Sequence, residues 1–190
     1  LNVSDTLVGG NIDGKNPLAD VKVRQAINMT INRDAIRDVV MRGQSVPAGI
    51  IMPPFVNGWT EELNAYPTPD MDAAKALLAE AGYPDGFPIT LDCPNDRYIN
   101  DEAICQATVG MLGQIGIQAR LNATSKALFF PQVNAKETDF FMLGWGVPSY
   151  DSEYIFNFLY HTQDASYGSW NSTRYSNPEL DVQIKAIAAE

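Results

Sequence analysis

The sequence predicts an α/β fold arranged as one lobe, on three observations. Between residues 87 and 145, stretches of strand character alternate with helical periodicity in the order strand, helix, strand, helix, strand. That order is what a sheet with helical crossovers requires. The chain has 190 residues, enough for one domain with a single core. Its 45% apolar and 19% charged residues lie in the ordinary globular range.

Residues 1–16, with Gly9-Gly10-Asn11 and Asp13-Gly14, form an opening loop. From Asp20 the spacing turns helical, placing Val23, Ala26, Ile27, Thr30 and Ile31 on one face. Asn32 caps a second helix with apolar positions Ile36, Val39 and Val40, ending near Gly43. Residues 44–69 hold five prolines and two glycines, so they predict a long ordered loop. Asp70 starts a third helix with the stripe Met71, Ala74, Leu78, Ala81 and a left-handed exit at Gly82.

Phe87 to Asp92 predicts a strand, and Asn100 or Asp101 caps a helix burying Ile104, Ala107, Met111 and Ile115. Ile117 to Ala123 is the second strand, Ser125 to Ala135 a helix disturbed by Pro131, and Phe140 to Trp145 a third strand buried on both faces. Asp151–Tyr160 and Asn177–Glu190 are the last helices. Asn177 is the N-cap of the second and Pro178 stands at its first position, where no amide donor is needed.

Composition removes several function classes. A net charge of −10 leaves too few Lys and Arg to neutralise a phosphate backbone, so no nucleic acid is expected as partner. Apolar runs are only a few residues long, so no membrane insertion is expected either. Cys93 and Cys105 stand 12 apart, wrong for a CxxC redox or zinc site, and His161 is the single histidine. Neither a metal nor a cofactor is expected. The cysteines themselves leave a short-loop disulfide and two buried thiols both open.

No GxSxG elbow, Walker loop, HExxH or GxGxxG is present, and no enzyme activity is expected. His161 ends a helix, where a cation beside the C-terminal dipole is a routine choice. Aromatic density is what stands out, since nine of the 19 aromatics fall within residues 145–175. Phe156, Phe158 and Tyr160 are expected in the core. Trp145 ends a strand and opens the loop Gly146-Val147-Pro148-Ser149, where α/β sheets bind ligands. Arg97, in the loop after the first strand, lies at the same end and carries a fork that suits a carboxylate. An exposed loop arginine paired with Asp96 or Asp101 is the alternative. Arg97, Trp145, Gly146 and Tyr150 are the candidate ligand-binding residues.

The run Asn16-Pro-Leu-Ala-Asp-Val-Lys-Val-Arg-Gln-Ala-Ile-Asn28, followed by Ile31-Asn-Arg-Asp-Ala-Ile36, resembles the "DxRVRQAIxxAIDR" signature of the extracellular solute-binding protein family 5. Asp72-Ala-Ala-Lys-Ala-Leu-Leu-Ala-Glu-Ala-Gly-Tyr-Pro-Asp-Gly-Phe87 is similar to its "AKxLLAEAGYPxGF". Gly113-Gln-Ile-Gly-Ile-Gln118, Gly144-Trp145 and Tyr175-Ser-Asn-Pro-Glu-Leu-Asp181 continue the match in order.

The resemblance implies a periplasmic-binding-protein type II-like lobe, a mixed sheet flanked by helices. Residues 1–190 would be most of the C-terminal lobe of a two-lobed protein, without the N-terminal lobe and a final return segment. It implies export to the periplasm or cell surface, hence an oxidising compartment and a Cys93–Cys105 disulfide. It also implies a peptide or similar small solute held between lobes and handed to the permease subunits of an ABC importer. A hydrolase domain and a protein-interaction module are the competing classes. Arg97 falls where relatives bind a ligand's C-terminal carboxylate, and Trp145 matches their tryptophan. Their next aspartate, partner of a free amino group, is replaced here by Pro148, while Asp151 is expected to cap a helix.

Overall fold

The computed structural model describes residues 1–187, so residues 188–190 of the last expected helix lie outside the described part. Helices α1 (Val21–Thr30), α2 (Arg33–Ala35) and α3 (Met71–Glu80) precede the sheet region. Strand β1 (Pro88–Pro94), helix α4 (Asp101–Gly113), strand β2 (Gln118–Thr124), helix α5 (Lys126–Asn134) and strand β3 (Phe140–Phe141) then alternate as expected. Helices α6 (Glu153–Ile155) and α7 (Pro178–Ile187) follow. No helix among the described residues is long and apolar enough to cross a membrane.

The strand order is β2-β1-β3, and both pairings are parallel, with Leu91 opposite Leu121 on one side and Phe140 on the other. An antiparallel strand of the expected mixed sheet is not among the described residues. Gly86 and Gly116, both at positive φ, bring the starts of β1 and β2 side by side, since a Cβ on Gly86 would overlap the Gly116 carbonyl.

The main core lies between this sheet and α1, α3 and α4. It buries Leu18, Val23, Ala26, Ile27, Ala74, Leu78, Leu91, Leu112 and Ile117 among others. Asn32 and Asn177 cap as the sequence predicts, the helix starts at Asp20 and Asp70 are capped too, and at α4 the N-cap is Asn100, whose side chain makes no capping bond. Asp20 accepts from the Lys22 amide, Asn32 from Ala35, Asp70 from Ala73, and Asn177 from Glu179 and Leu180. Cys93 of β1 and Cys105 of α4 form a disulfide, both fully buried.

Four expectations are corrected. The chain from Ile36 to Val40 widens into a π turn, closed by the Met41 amide on the Ile36 carbonyl. That changes which residues share a face, and Val39 is 76% exposed rather than packed. In α4 the buried stripe is Asp101, Cys105, Thr108 and Leu112, while Ile104, Ala107 and Met111 are only half-buried. Cys105, bonded to Cys93, lies on that inward face, and Ile115 is buried as expected.

Strand β3 is two residues long instead of six, because the chain leaves the ladder after the Met142 amide bonds to Asp92 O. Finally, α6 also continues into a π turn, Phe156–Tyr160, which buries Ile155 and leaves Phe156 and Phe158 half-buried and Tyr160 39% exposed.

Candidate ligand site at the carboxyl end of the sheet

From β1 the chain crosses to β2 on one side, then to β3 on the other. The carboxyl ends of β1 and β3 therefore flank a topological switch point, where a crevice opens in α/β sheets. The loop after β1 carries Arg97 and the segment after β3 carries Trp145. Both line one concavity of about 280 Å³ with Tyr98, Phe130, Leu143, Gly144, Gly146, Tyr154 and Trp170.

Local chemistry fixes the Arg97 loop. The buried Asp101 carboxylate accepts the amides of Arg97, Tyr98 and Glu102, each at 2.9 Å. Burial alone would push its pKa up, but these backbone donors outweigh it and hold the carboxyl below its usual range. Asp101 thus pairs with the backbone of Arg97, and no carboxylate among the described residues forms an ion pair with the guanidinium. Instead the guanidinium lies over the Tyr98 ring at 4.9 Å. The Tyr98 hydroxyl donates to Gly144 O at 3.2 Å. A Cβ at Gly144 would sit 2.7 Å from the Tyr98 ring, which is why glycine precedes Trp145.

Trp145 stands half-buried at the centre of a ring cluster. Its centroid is 5.8 Å from Tyr154, 6.0 Å from Phe158 and 5.8 Å from Trp170, and Phe130 meets Trp170 edge-on at 6.1 Å. Its indole Nε1 is buried without a hydrogen-bond partner. Beneath the rings lies a second apolar cluster in which Met52 and Val56 of the 44–69 loop pack on Val147 and Ile155. Gly146 is exposed with open space where a Cβ would go.

Tyr150, at φ +57° and 62% exposed, lies outside the concavity and meets Phe55 edge-on at 5.7 Å. The Asp151 carboxylate accepts the Glu153 amide at 2.8 Å, but the N-cap of α6 is Ser152, one residue on from the expected cap. His161 stands at the helix end as expected, as the C-cap of the π turn, and is buried there. Its Nδ1 is 2.6 Å from Thr162 O, and its ring stacks on Tyr167.

Sequence reasoning missed Tyr98, Phe130, Leu143 and Trp170 as parts of this wall. Phe130 carried a faint signal, following the fully buried Phe129 on a helix whose next residue, Pro131, is exposed. Trp170 lies within the aromatic-rich segment 145–175, but only tertiary packing brings it beside Trp145.

Comparison with known proteins agrees with this architecture. Residues 1–167 match the family model for bacterial extracellular solute-binding proteins, family 5 middle. The glutathione-binding protein GsiB of Salmonella paratyphi A is 31% identical over 175 residues, covering 90% of this chain and 34% of GsiB. The dipeptide-binding protein of Pseudoalteromonas sp. SM9913, solved with Met-Leu, superposes with a TM-score of 0.80 at 26% identity, over 90% of this chain and 34% of that one. AgaA of A. tumefaciens R10, solved with agropinic acid, gives 0.80 at 26% identity over 92% and 35%. The chain spans about a third of the length of the curated relatives it matches.

Proposed function

Because the chain belongs to the bacterial extracellular solute-binding proteins, family 5, we propose that it forms most of the C-terminal lobe of a substrate-binding component of an ABC importer. The lobe presents one wall of a cleft that captures a peptide or similar small solute and delivers it to a membrane permease, without turnover. A Cys93–Cys105 disulfide fits the oxidising periplasm or cell surface where such proteins work. The observation carrying this reading is that Arg97 and Trp145, 48 positions apart by their numbers, meet in one concavity at the switch point.

In this reading Arg97 binds an acidic group of the solute, Trp145 supplies a ring face, and Gly146 leaves the wall open to it. Tyr150, exposed with Phe55 on the neighbouring surface, reaches only a larger solute. The test is mass spectrometry of small molecules released from the full-length protein purified under native conditions. One bound solute, whose readdition gives saturable heat in titration calorimetry, is expected. A protein that carries no solute and shows no such heat with peptide and amino-acid pools would overturn the proposal.

A further inference from the structure

We infer that this wall selects a solute carrying a flat apolar group beside its acidic group, and that it reads no free amino group on that solute. The inference rests on the solute-binding reading above and narrows it to a substrate class, N-blocked peptides and aryl acids.

The lining is one-sided in charge. Around the concavity stand one guanidinium, five aromatic rings, a leucine and two glycines, and among the described residues no carboxylate lines it. Asp96, Asp101, Asp151 and Glu153 on the flanking segments do not line the concavity, and each accepts an amide of the protein. Asp96 accepts the Lys126 amide at 2.6 Å, Asp101 the Arg97 and Tyr98 amides, Asp151 the Glu153 amide at 2.8 Å, and Glu153 the Asn157 side-chain amide at 2.9 Å. The Gly144 carbonyl is taken by the Tyr98 hydroxyl. An ammonium group placed here would find no carboxylate among the described lining residues and would sit beside Arg97.

A cluster of aromatic rings can serve two kinds of ligand, a cation over the ring faces or another flat apolar group. Arg97 decides between them. It already occupies the Tyr98 face at 4.9 Å, and its fixed charge disfavours a second cation. The half-buried faces of Phe130, Trp145 and Tyr154 are left for a ring or acyl group, which removes apolar surface from water on both sides.

Titration calorimetry on the full-length protein tests this with Ala-Phe, N-acetyl-Ala-Phe, Ala-Phe amide and Ala-Ala. Acetylation is expected to change Kd by less than about threefold, whereas amidation should weaken binding by roughly thirtyfold or more. Replacing the ring, Phe to Ala, should weaken it by about tenfold. A tenfold loss on acetylation, or Ala-Ala binding as tightly as Ala-Phe, overturns the inference and leaves the solute-binding reading intact. So does failure of all four peptides in a protein that carries a co-purified solute without a ring or an acid. Failure of all four with no solute of any kind overturns both. Arg97→Glu, on an exposed loop, is expected to reverse the preference so that Ala-Phe amide outbinds N-acetyl-Ala-Phe; an unchanged order also overturns the inference.

Discussion

The two apolar clusters of this molecule are built on different terms. In the main core, Leu18, Val23, Ala26, Leu78, Cys93, Leu112 and Ile117 have no exposed surface at all. Most of them come from helices and strands whose periodicity gathers them on one face. In the second cluster only Met52, Val56, Val147 and Ile155 are buried, and Trp59, Trp145, Tyr154 and Leu159 remain half-covered. Those residues come from a proline-rich loop, an irregular segment and a π turn. The core is closed by the lobe itself, whereas the ring cluster keeps faces open to whatever enters the concavity.

That contrast is broken or sharpened by substitution, starting with the core. Leu112→Ala is expected to destabilise the full-length protein by about 2–5 kcal/mol in urea unfolding, because a fully packed site cannot collapse around the cavity. Trp145→Ala should cost no more than about half as much, despite the larger side chain, and should weaken solute binding. Equal stability losses would mean that the ring cluster is as closed as the core. Replacing both cysteines, Cys93→Ser with Cys105→Ser, removes a short cross-link worth roughly 3 kcal/mol in the chain-entropy model. Ellman titration of the unreduced, unfolded protein should find no free thiol; two would contradict the bond.

The link between the two regions is Asp101, which is buried at the start of α4 yet holds the Arg97 loop. Asp101→Asn should cost about 1.5–3 kcal/mol, the range for hydrogen bonds to a charged group. The folded carboxyl lies below its ordinary value. Its stabilising contribution is therefore complete above the ordinary carboxylate range and fades as pH falls through that range towards the folded value. Stability measured from pH 7 downward should decline less steeply in Asp101→Asn than in the parent; identical slopes would remove Asp101 from that role. The smallest effect is expected at Tyr150. Tyr150→Ala should change stability by less than about 0.5 kcal/mol, as surface substitutions usually do. It should also weaken binding of a dipeptide-sized solute less than Trp145→Ala does.

The sequence by itself determined the regular part of this protein. Caps at Asn32 and Asn177, helix starts at Asp20 and Asp70, the stripe through Val23, Ala26 and Ile27, and the alternation from β1 to β3 were legible because each element is set by residues near one another in the chain. It also placed Arg97 and Trp145 at the same end of the sheet, since parallel strands share their carboxyl ends. Tertiary structure decided the rest. The seam of α4 runs through Cys105, bonded to Cys93, rather than along its most apolar stripe, and β3 stops where β1 has no further partner for it. The rings expected inside at Phe156, Phe158 and Tyr160 stay partly open because the helix widens and turns Ile155 inward instead. Phe130 and Trp170 join Trp145 only through packing between segments far apart in the chain. No local periodicity records such contacts, because the free energy that selects them is gained only after the sheet has brought those segments together.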